Sequence, residues 1–444
     1  MNQKFTEILR GSLEFLSQRI IDKFQPDVIA ITGSVGKTSA KEAIYAVLAD
    51  SGTLRGLYNN RPIARRSKGN LNTELGASLA IINDWKESSL KLVSRGQPAG
   101  TRKFAKLLFW LRVISAAKFK IAFGKIKNYP KFLVLEYGAD RPGDIKKLLR
   151  LARPKISVIT AIGNTPVHIE FYENAENVAR EKFRLVDALP ASGYAVLNFD
   201  DEMVMDLVEE KPKTQTVTFG FGEGADVKIF NFENRSDESR PEGIFFKIQH
   251  KGNVIPVTIK NVFGKAQAYG VAAAFAVGTI YNLNLVEIAE LIERYYVPEK
   301  RRMNLLQGVK ETWIIDDSYN ASPLAMQEAL ATLKDLKAGR KIAVLGDMLE
   351  LGQYSVEAHE QIGKIAGDAA DILITVGPRG KFIAEKAKES DKDKWKENGN
   401  IFSFDIADEA LAPIQAMIQK GDLILIKASR GIGLDKVVDE IKKM

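Results

Sequence analysis

Cysteine is absent from the 444 residues, so disulfides, thiolate nucleophiles and cysteine-held zinc are excluded. Histidine is scarce: His168, His250 and His359 are the only three, and a three-histidine metal centre would need all of them. The opening residues, MNQKFTEILRGSLEFLSQRI, lack the apolar core of a secretory signal. No apolar run reaches the ~18 residues of a membrane-spanning helix. These absences are compatible with a cytoplasmic protein. Negative charge is missing locally: no Asp or Glu occurs from Lys91 to Leu135, whereas Lys and Arg recur there. Inside that basic segment (91–131), FAKLLFWLRVISAAKFKIAF has two readings. It is either a basic amphipathic helical pair resting on a membrane surface, or helix packed on the core with solvated lysine tips.

What is present is an ordinary globular balance, with 45% apolar and 27% charged residues, and enough chain for two or three domains. The formal charge of +8 would steer an anionic substrate toward the protein. Residues 1–26 read as an amphipathic helix. From Val28 the pattern becomes α/β. Short apolar runs ending in polar residues (PDVIAITG, KFLVLEYGAD, KISVITAIGN, GYAVLNFDDE) alternate with helical stretches, as in a mainly parallel sheet. Residues 53–76 are rich in Gly, Asn and Arg and read as a loop feeding a helix. Residues 214–260 alternate like antiparallel strands, a β-rich extension of the first domain. YYVPEKRRMNLLQ marks a boundary, followed by a second α/β series with strands TWIIDDSYN, KIAVLGDM, DILITVG, NIFSF and DLILIKAS. The expected division is a helical segment over 1–26, a central domain over 27–297 and a C-terminal domain over 298–444.

The chemistry concentrates at strand ends. Gly33, Ser34, Val35, Gly36, Lys37 and Thr38 form GSVGKT between a strand and a helix. This is shorter than a full phosphate-loop motif, yet backbone N–H groups and a helix N-terminus can cradle phosphate there. Lys37 would neutralise phosphate charge and Thr38 would offer a hydroxyl to Mg2+. A plain structural turn is the bland alternative. Glu136 ends a strand, where a carboxylate can hold Mg2+; a capping or buried glutamate is its alternative. His168, with Glu170 nearby, could supply nitrogen to a second cation or only tie a loop. Lys182 lies in a helix with charged neighbours, and a solvated face is the ordinary reading of such a lysine. DDSYNASP and GDMLELG follow apolar strands and are expected at a ligand-binding sheet edge, with Asn320 and Ser322 capping the next helix. KASRGIG would bring Lys427 and Arg430 near an anion, or simply cap a helix.

TGSVGKTSAKE, GNLNTELG, LEYGADRPGDI, NTPVHIEFY, DDSYNASPLAM, LGDMLELG and KASRG occur in that order. Together they make the chain, from about residue 27 to residue 440, resemble the Mur ligase family. These are the ATP-dependent amide-bond ligases of peptidoglycan precursor synthesis, and the likeness is greatest to the branch that adds D-alanyl-D-alanine. The resemblance implies a P-loop-type ATPase domain followed by a smaller Rossmann-like domain, with ATP and Mg2+ as cofactors. It assigns Lys37, Glu136, His168 and Lys182 to catalysis, and Thr38, Glu136, His168 and Lys182, the last as a carbamate, to the metal. Arg302, Asp317, Tyr319 and Asn320 would meet the nucleotide, and Asn72, Thr73, Glu74, Lys427 and Arg430 the substrates. A cell-wall precursor and an amino acid or dipeptide would be the partners. The implied protein is a cytoplasmic monomer without a nucleic-acid partner, and the basic segment would add peripheral contact with the inner membrane face. Two departures stand out. Only about 26 residues precede the first strand, where the family has a UDP-gripping domain, and EKFRL replaces the commoner sequence around the lysine. These departures leave open a related ligase for a lipid-linked or other acidic substrate, and a nucleotide-binding scaffold that does not ligate.

Overall fold

Strands that are apolar along their whole length, rather than alternately, need cover on both faces, and three such runs build the centre of the first sheet. In the computed structural model β1 (Asp27–Thr32), β3 (Phe132–Glu136) and β4 (Ile156–Ile159) are buried at every residue. They lie in a parallel array with β2 (Ala64–Arg66), β5 (Tyr194–Asn198) and β6 (Gln215–Gly220), in the order β2-β3-β1-β4-β5-β6. The structure describes residues 3–58, 61–69, 71–93, 103–210, 214–237, 240–390, 395 and 399–443. Backbone contacts divide the chain into two units. One comprises Met1–Ala161, Ala179–Lys228 and Gly270–Tyr296, the other Ile162–Val178, Ile229–Tyr269 and Val297–Met444.

In the first unit, α1 (Gln3–Phe24), α2 (Lys37–Asp50), α3 (Glu74–Ile82) and α4 (Lys103–Phe123) accompany the sheet. Leu13, Ile20 and Phe24 of α1 share a core with Ala77 and Ile81 of α3 and with Trp110, Val113 and Ala117 of α4. Phe24 stacks on Tyr129 at 4.4 Å. The last carbonyls of α3 are met by cations and a phenol. Arg65 donates to the Ala80 and Ile81 oxygens at 3.0 Å each, Tyr129 to Ile81 at 2.7 Å and Lys120 to Ile82 at 2.8 Å. Positive charge at a helix C-terminus is favourable, and this explains why the unpatterned sequence ARR is a strand: its arginine caps a helix.

Three expectations change. Of the two readings of the basic segment, the helical pair gives way to one 21-residue helix, α4, with one side in the core; residues 94–102 lie outside the described part. Within 53–76, a helix (Gly52–Leu57) and β2 interrupt the expected loop. In 214–260, β6 joins the parallel sheet, so only part of the stretch is antiparallel.

In the second unit, β8 (Arg240–His250) and β9 (Asn253–Lys260) form an antiparallel hairpin next to β7 (Val227–Asp237) in the strand order. A separate six-stranded sheet has the order β10-β11-β15-β12-β13-β14. Its strands are β10 (Asn304–Gln307), β11 (Trp313–Asp317), β12 (Arg340–Gly346), β13 (Ile372–Val376), β14 (Ile401–Phe404) and β15 (Asp422–Lys427). β10 runs antiparallel at one edge and the rest are parallel. The five strands read from the sequence are all present; β10, hidden in the boundary stretch, was not anticipated.

Candidate active site

β1 lies between β3 and β4, so the chain leaves it where the strand order reverses, the place at which parallel sheets open a crevice. Gly33 (φ 146°) and Gly36 (φ 87°) make the turn into α2. A Cβ on Gly33 would sit 2.0 Å from Thr160 Oγ1, so only glycine fits. The N–H groups of Ser34 and Val35 both donate to the Ala161 oxygen, at 2.7 and 3.0 Å. The loop therefore offers a phosphate the first N–H groups of α2, which by helix geometry lack intrahelical partners. Lys37 curls back, its ammonium 2.6 Å from the Gly33 oxygen and 3.2 Å from that of Ser34. Thr32 Oγ1 and Ser34 Oγ are buried here without a hydrogen-bond partner, a state that costs free energy unless a ligand, ion or water meets it.

Glu136, opposite Ile31 in the β1–β3 register, is 2% exposed. Its carboxylate accepts from Thr38 Oγ1 at 3.2 Å and from Asn72 Nδ2 at 3.4 Å. Lys41, one turn along α2, puts its fully buried ammonium 3.4 Å from Glu136 and 3.4 Å from Glu42, and donates to the Gly69 oxygen at 2.9 Å. Sequence reading passed over Lys41. The available signal was its position on the apolar face of α2, three before Ile44 and seven before Leu48.

Lys182, on α5 (Ala175–Asp187), is only 1% exposed, so the solvated-face reading fails. It falls in a stripe with Val178 and Leu185 that packs inward. Burial, reinforced by repulsion from Lys37, lowers its pKa from 10.5 to about 7. That shift favours the uncharged, nucleophilic form of the amine over the ammonium of a solvated lysine.

Thr38 and Glu136 supply one hydroxyl and one carboxylate, the kind of donor set with which Mg2+ is held when phosphate oxygens complete its shell. No group of three or more His, Asp or Glu able to hold a metal occurs among the described residues. The site therefore fits a cation that arrives with nucleotide. Glu74 begins α3 and pairs with Arg10 of α1 at 3.6 Å, while Thr73 is the residue just before that helix.

The second unit assembles its own polar edge. Asp317 and Lys427 are register partners on β11 and β15, and their side chains pair at 2.5 Å; Lys427 also donates to the Asn320 oxygen at 2.9 Å. Arg302 and Arg430 lie over the Tyr319 ring, at 4.4 and 5.9 Å. Ser322 accepts from the Ala325 N–H and caps the helix Pro323–Asp335. Asn320, expected to share that role, instead gives its carbonyl to Lys427. Asp347 in GDMLELG accepts the Arg379 and Gly380 N–H groups at 3.0 and 2.7 Å. The Met348 N–H donates to His359 Nε2 at 2.9 Å, which leaves His359 Nδ1 to donate to the Ser355 oxygen. His168 also belongs to this unit; at φ 69° it places Nδ1 2.6 Å from Glu350, itself at φ 65°.

Because Lys427 is buried and paired, removing its charge alone should strand Asp317. Lys427→Met is expected to lose about 3–5 kcal/mol of stability. The double variant Lys427→Met with Asp317→Asn should recover most of it, as chemical denaturation would measure.

Comparison with known proteins extends the geometry. Residues 115–278 match the family model described as the Mur ligase middle domain, and residues 301–430 match that described as Mur ligase, glutamate ligase domain. The chain is 28% identical over 433 residues to the UDP-N-acetylmuramoyl-tripeptide–D-alanyl-D-alanine ligase of Bacillus subtilis, covering 97% of this chain and 79% of that protein. The enzyme of the same name from Rickettsia prowazekii is 24% identical, with 93% and 77% covered. Among solved structures, the MurF ligase of Thermotoga maritima in complex with ADP superposes with a TM-score of 0.72 at 25% identity, over 97% of this chain and 83% of that one. The chain belongs to the Mur ligase family.

Proposed function

We propose that the chain is an ATP-dependent ligase that activates a carboxylate of a peptidoglycan precursor as an acyl phosphate and joins it to an amine. The precursor is a UDP-N-acetylmuramoyl-tripeptide and the amine is D-alanyl-D-alanine. The observation that carries this reading is the meeting, in one unit, of the Lys37–Thr38 turn with buried Glu136 and fully buried Lys182.

A substrate carboxylate oxygen attacks the γ-phosphorus. The bond to the β-phosphate oxygen breaks and ADP leaves. The amine then attacks the acyl carbon, the C–O bond to phosphate breaks, and the nitrogen sheds a proton as phosphate departs. The first step brings two anions together, so cations fixed at the site lower its barrier. Lys37 supplies such a charge on the loop, and Gly33 and Gly36 let the backbone approach the phosphates. Mg2+, held by Thr38 and Glu136 with the nucleotide, would add Lewis acidity and charge neutralisation. Lys41 holds the Glu136 carboxylate in place from behind, and Asn72 holds it from the substrate loop that includes Thr73 and Glu74.

Lys182 suits carbamylation. Its neutral amine attacks the carbon of CO2, one proton is lost, and a carbamate anion results that can bind cation where an ammonium would repel it. His168, whose Nδ1 lies 2.6 Å from Glu350, would as a neutral ring offer Nε2 to a second cation. In the second unit, Arg302, Asp317, Tyr319 and Asn320 are assigned to the nucleotide and Arg430 to the incoming amine. Buried, paired Lys427 acts by shaping the turn that carries Tyr319 and Asn320. The reading places the protein in the cytoplasm, as a monomer.

The test is ADP release with paired substrates. ADP formation is expected only when the UDP-tripeptide and D-alanyl-D-alanine are both present, with product mass equal to their sum less water. ATP turnover that needs neither would favour a nucleotide-driven scaffold. Turnover with a different acid would name the alternative substrate.

A further inference from the structure

Helix α4 is apolar on both faces. Trp110, Val113 and Ala117 pack into the first unit's core, whereas Phe104, Leu107, Leu108, Leu111, Phe119 and Phe123 are exposed, from 42% to 72%. Exposed large apolar side chains of this density mark an interaction surface. Phe104, Leu107, Leu108 and Leu111 follow one another at the three- and four-residue spacings that share a face. Arg112 and Lys118 are exposed on the same side, and Lys125 and Lys127 are exposed just beyond the helix end. No carboxylate is present in the sequence from Lys91 to Leu135.

The helix is also firmly mounted. Lys120 donates to the Ile82 oxygen and to Asn83 Oδ1, at 2.8 and 3.3 Å, and Trp110 is 3% exposed. The outward face is therefore presented by a helix anchored along its opposite side.

We propose that this face of α4 is a docking surface for an anionic lipid membrane. Phe and Leu side chains enter the boundary between headgroups and acyl chains, while Arg112, Lys118, Lys125 and Lys127 meet lipid phosphates. Charge decides between this occupant and a second copy of the chain. Two such faces would oppose cation to cation, with no carboxylate contributed by the Lys91–Leu135 segment, whereas an anionic bilayer complements both the apolar stripe and its basic flanks. The helix lies in the interface and does not cross it, since no described helix is long and apolar enough to span a membrane.

The experiment is co-sedimentation of the full chain with phosphatidylcholine vesicles, with and without phosphatidylglycerol, at low and high salt. Binding is expected only to the anionic vesicles and is expected to fall at least tenfold in high salt. Leu108→Ser with Leu111→Ser, and separately Arg112→Glu with Lys118→Glu, should each weaken it at least tenfold while ATP binding stays unchanged. All four side chains are exposed, so folding is retained, and far-ultraviolet circular dichroism checks this. No binding to anionic vesicles, equal binding to both kinds, or binding unaltered in the folded variants would overturn the proposal. Concentration-dependent dimerisation through this face without vesicle binding would overturn it too.

Discussion

Replacing Lys182 with methionine is expected to cripple amide synthesis while making the folded chain more stable. The two effects share a cause. Burial, with repulsion from Lys37, holds the Lys182 pKa at about 7 against 10.5 for a solvated lysine. Between those values the unfolded chain carries a proton that the folded chain lacks, so stability rises with pH across that window. Below about 7 the full penalty of burying the amine is present. Methionine fills similar space without charge, so the gain at pH 7 is on the order of 4 kcal/mol and should shrink as pH approaches 10. Turnover should fall by about 10²–10³-fold, the usual loss when one electrostatic partner of a transition state is removed. Wild-type turnover should also decline in CO2-depleted buffer and return on adding bicarbonate, whereas the variant should not respond. Thermal unfolding at two pH values in CO2-depleted buffer, beside ADP release, measures the pair of effects. A variant that is less stable than wild type at both pH values would show that the burial of Lys182 is misread.

At Glu136 the same carboxylate serves chemistry and structure, since it also pairs with buried Lys41. Glu136→Gln keeps the shape of the side chain, but its one amide oxygen can accept from only one of Thr38 Oγ1 and Asn72 Nδ2, which meet different carboxylate oxygens. It loses the anion, so turnover is expected to drop by about 10²–10³-fold and excess Mg2+ should not restore it. Glu136→Ala should lose activity to the same extent. Both variants leave Lys41 with Glu42 and the Gly69 oxygen, so each should also destabilise the fold by about 3 kcal/mol, near the low end for a broken buried pair. If Glu136→Gln turned over at the wild-type rate, the carboxylate would have no role at the metal.

These contrasts show where sequence was sufficient. The strands that carry the site read as apolar runs ending in polar residues because buried parallel strands have no alternate face to mark. The glycines at 33 and 36 were legible because a turn with positive φ and close packing against Thr160 accepts little else. β2 was not legible. Ala-Arg-Arg has neither periodicity nor strand propensity, and it is a strand because of its neighbour β3 and the carbonyls its arginine meets. Lys182 and Lys41 looked like ordinary helical lysines. Both occupy apolar-face positions, which charge alone concealed, and the energetic consequence of burial emerges only from tertiary packing. The same limit applied to α4: its sequence admitted a membrane face or a core face, and the fold gives it one side in the core and the other in solvent.

The central claim is that ATP activates a carboxylate by transferring its γ-phosphoryl group to it. Substrate labelled with 18O in the reacting carboxylate tests this most directly. In the acyl-phosphate route the bridging oxygen comes from the substrate and leaves with phosphate when the amine attacks. One 18O atom should therefore appear in each inorganic phosphate released, in step with the amide product. Amide formed with unlabelled phosphate would contradict the account.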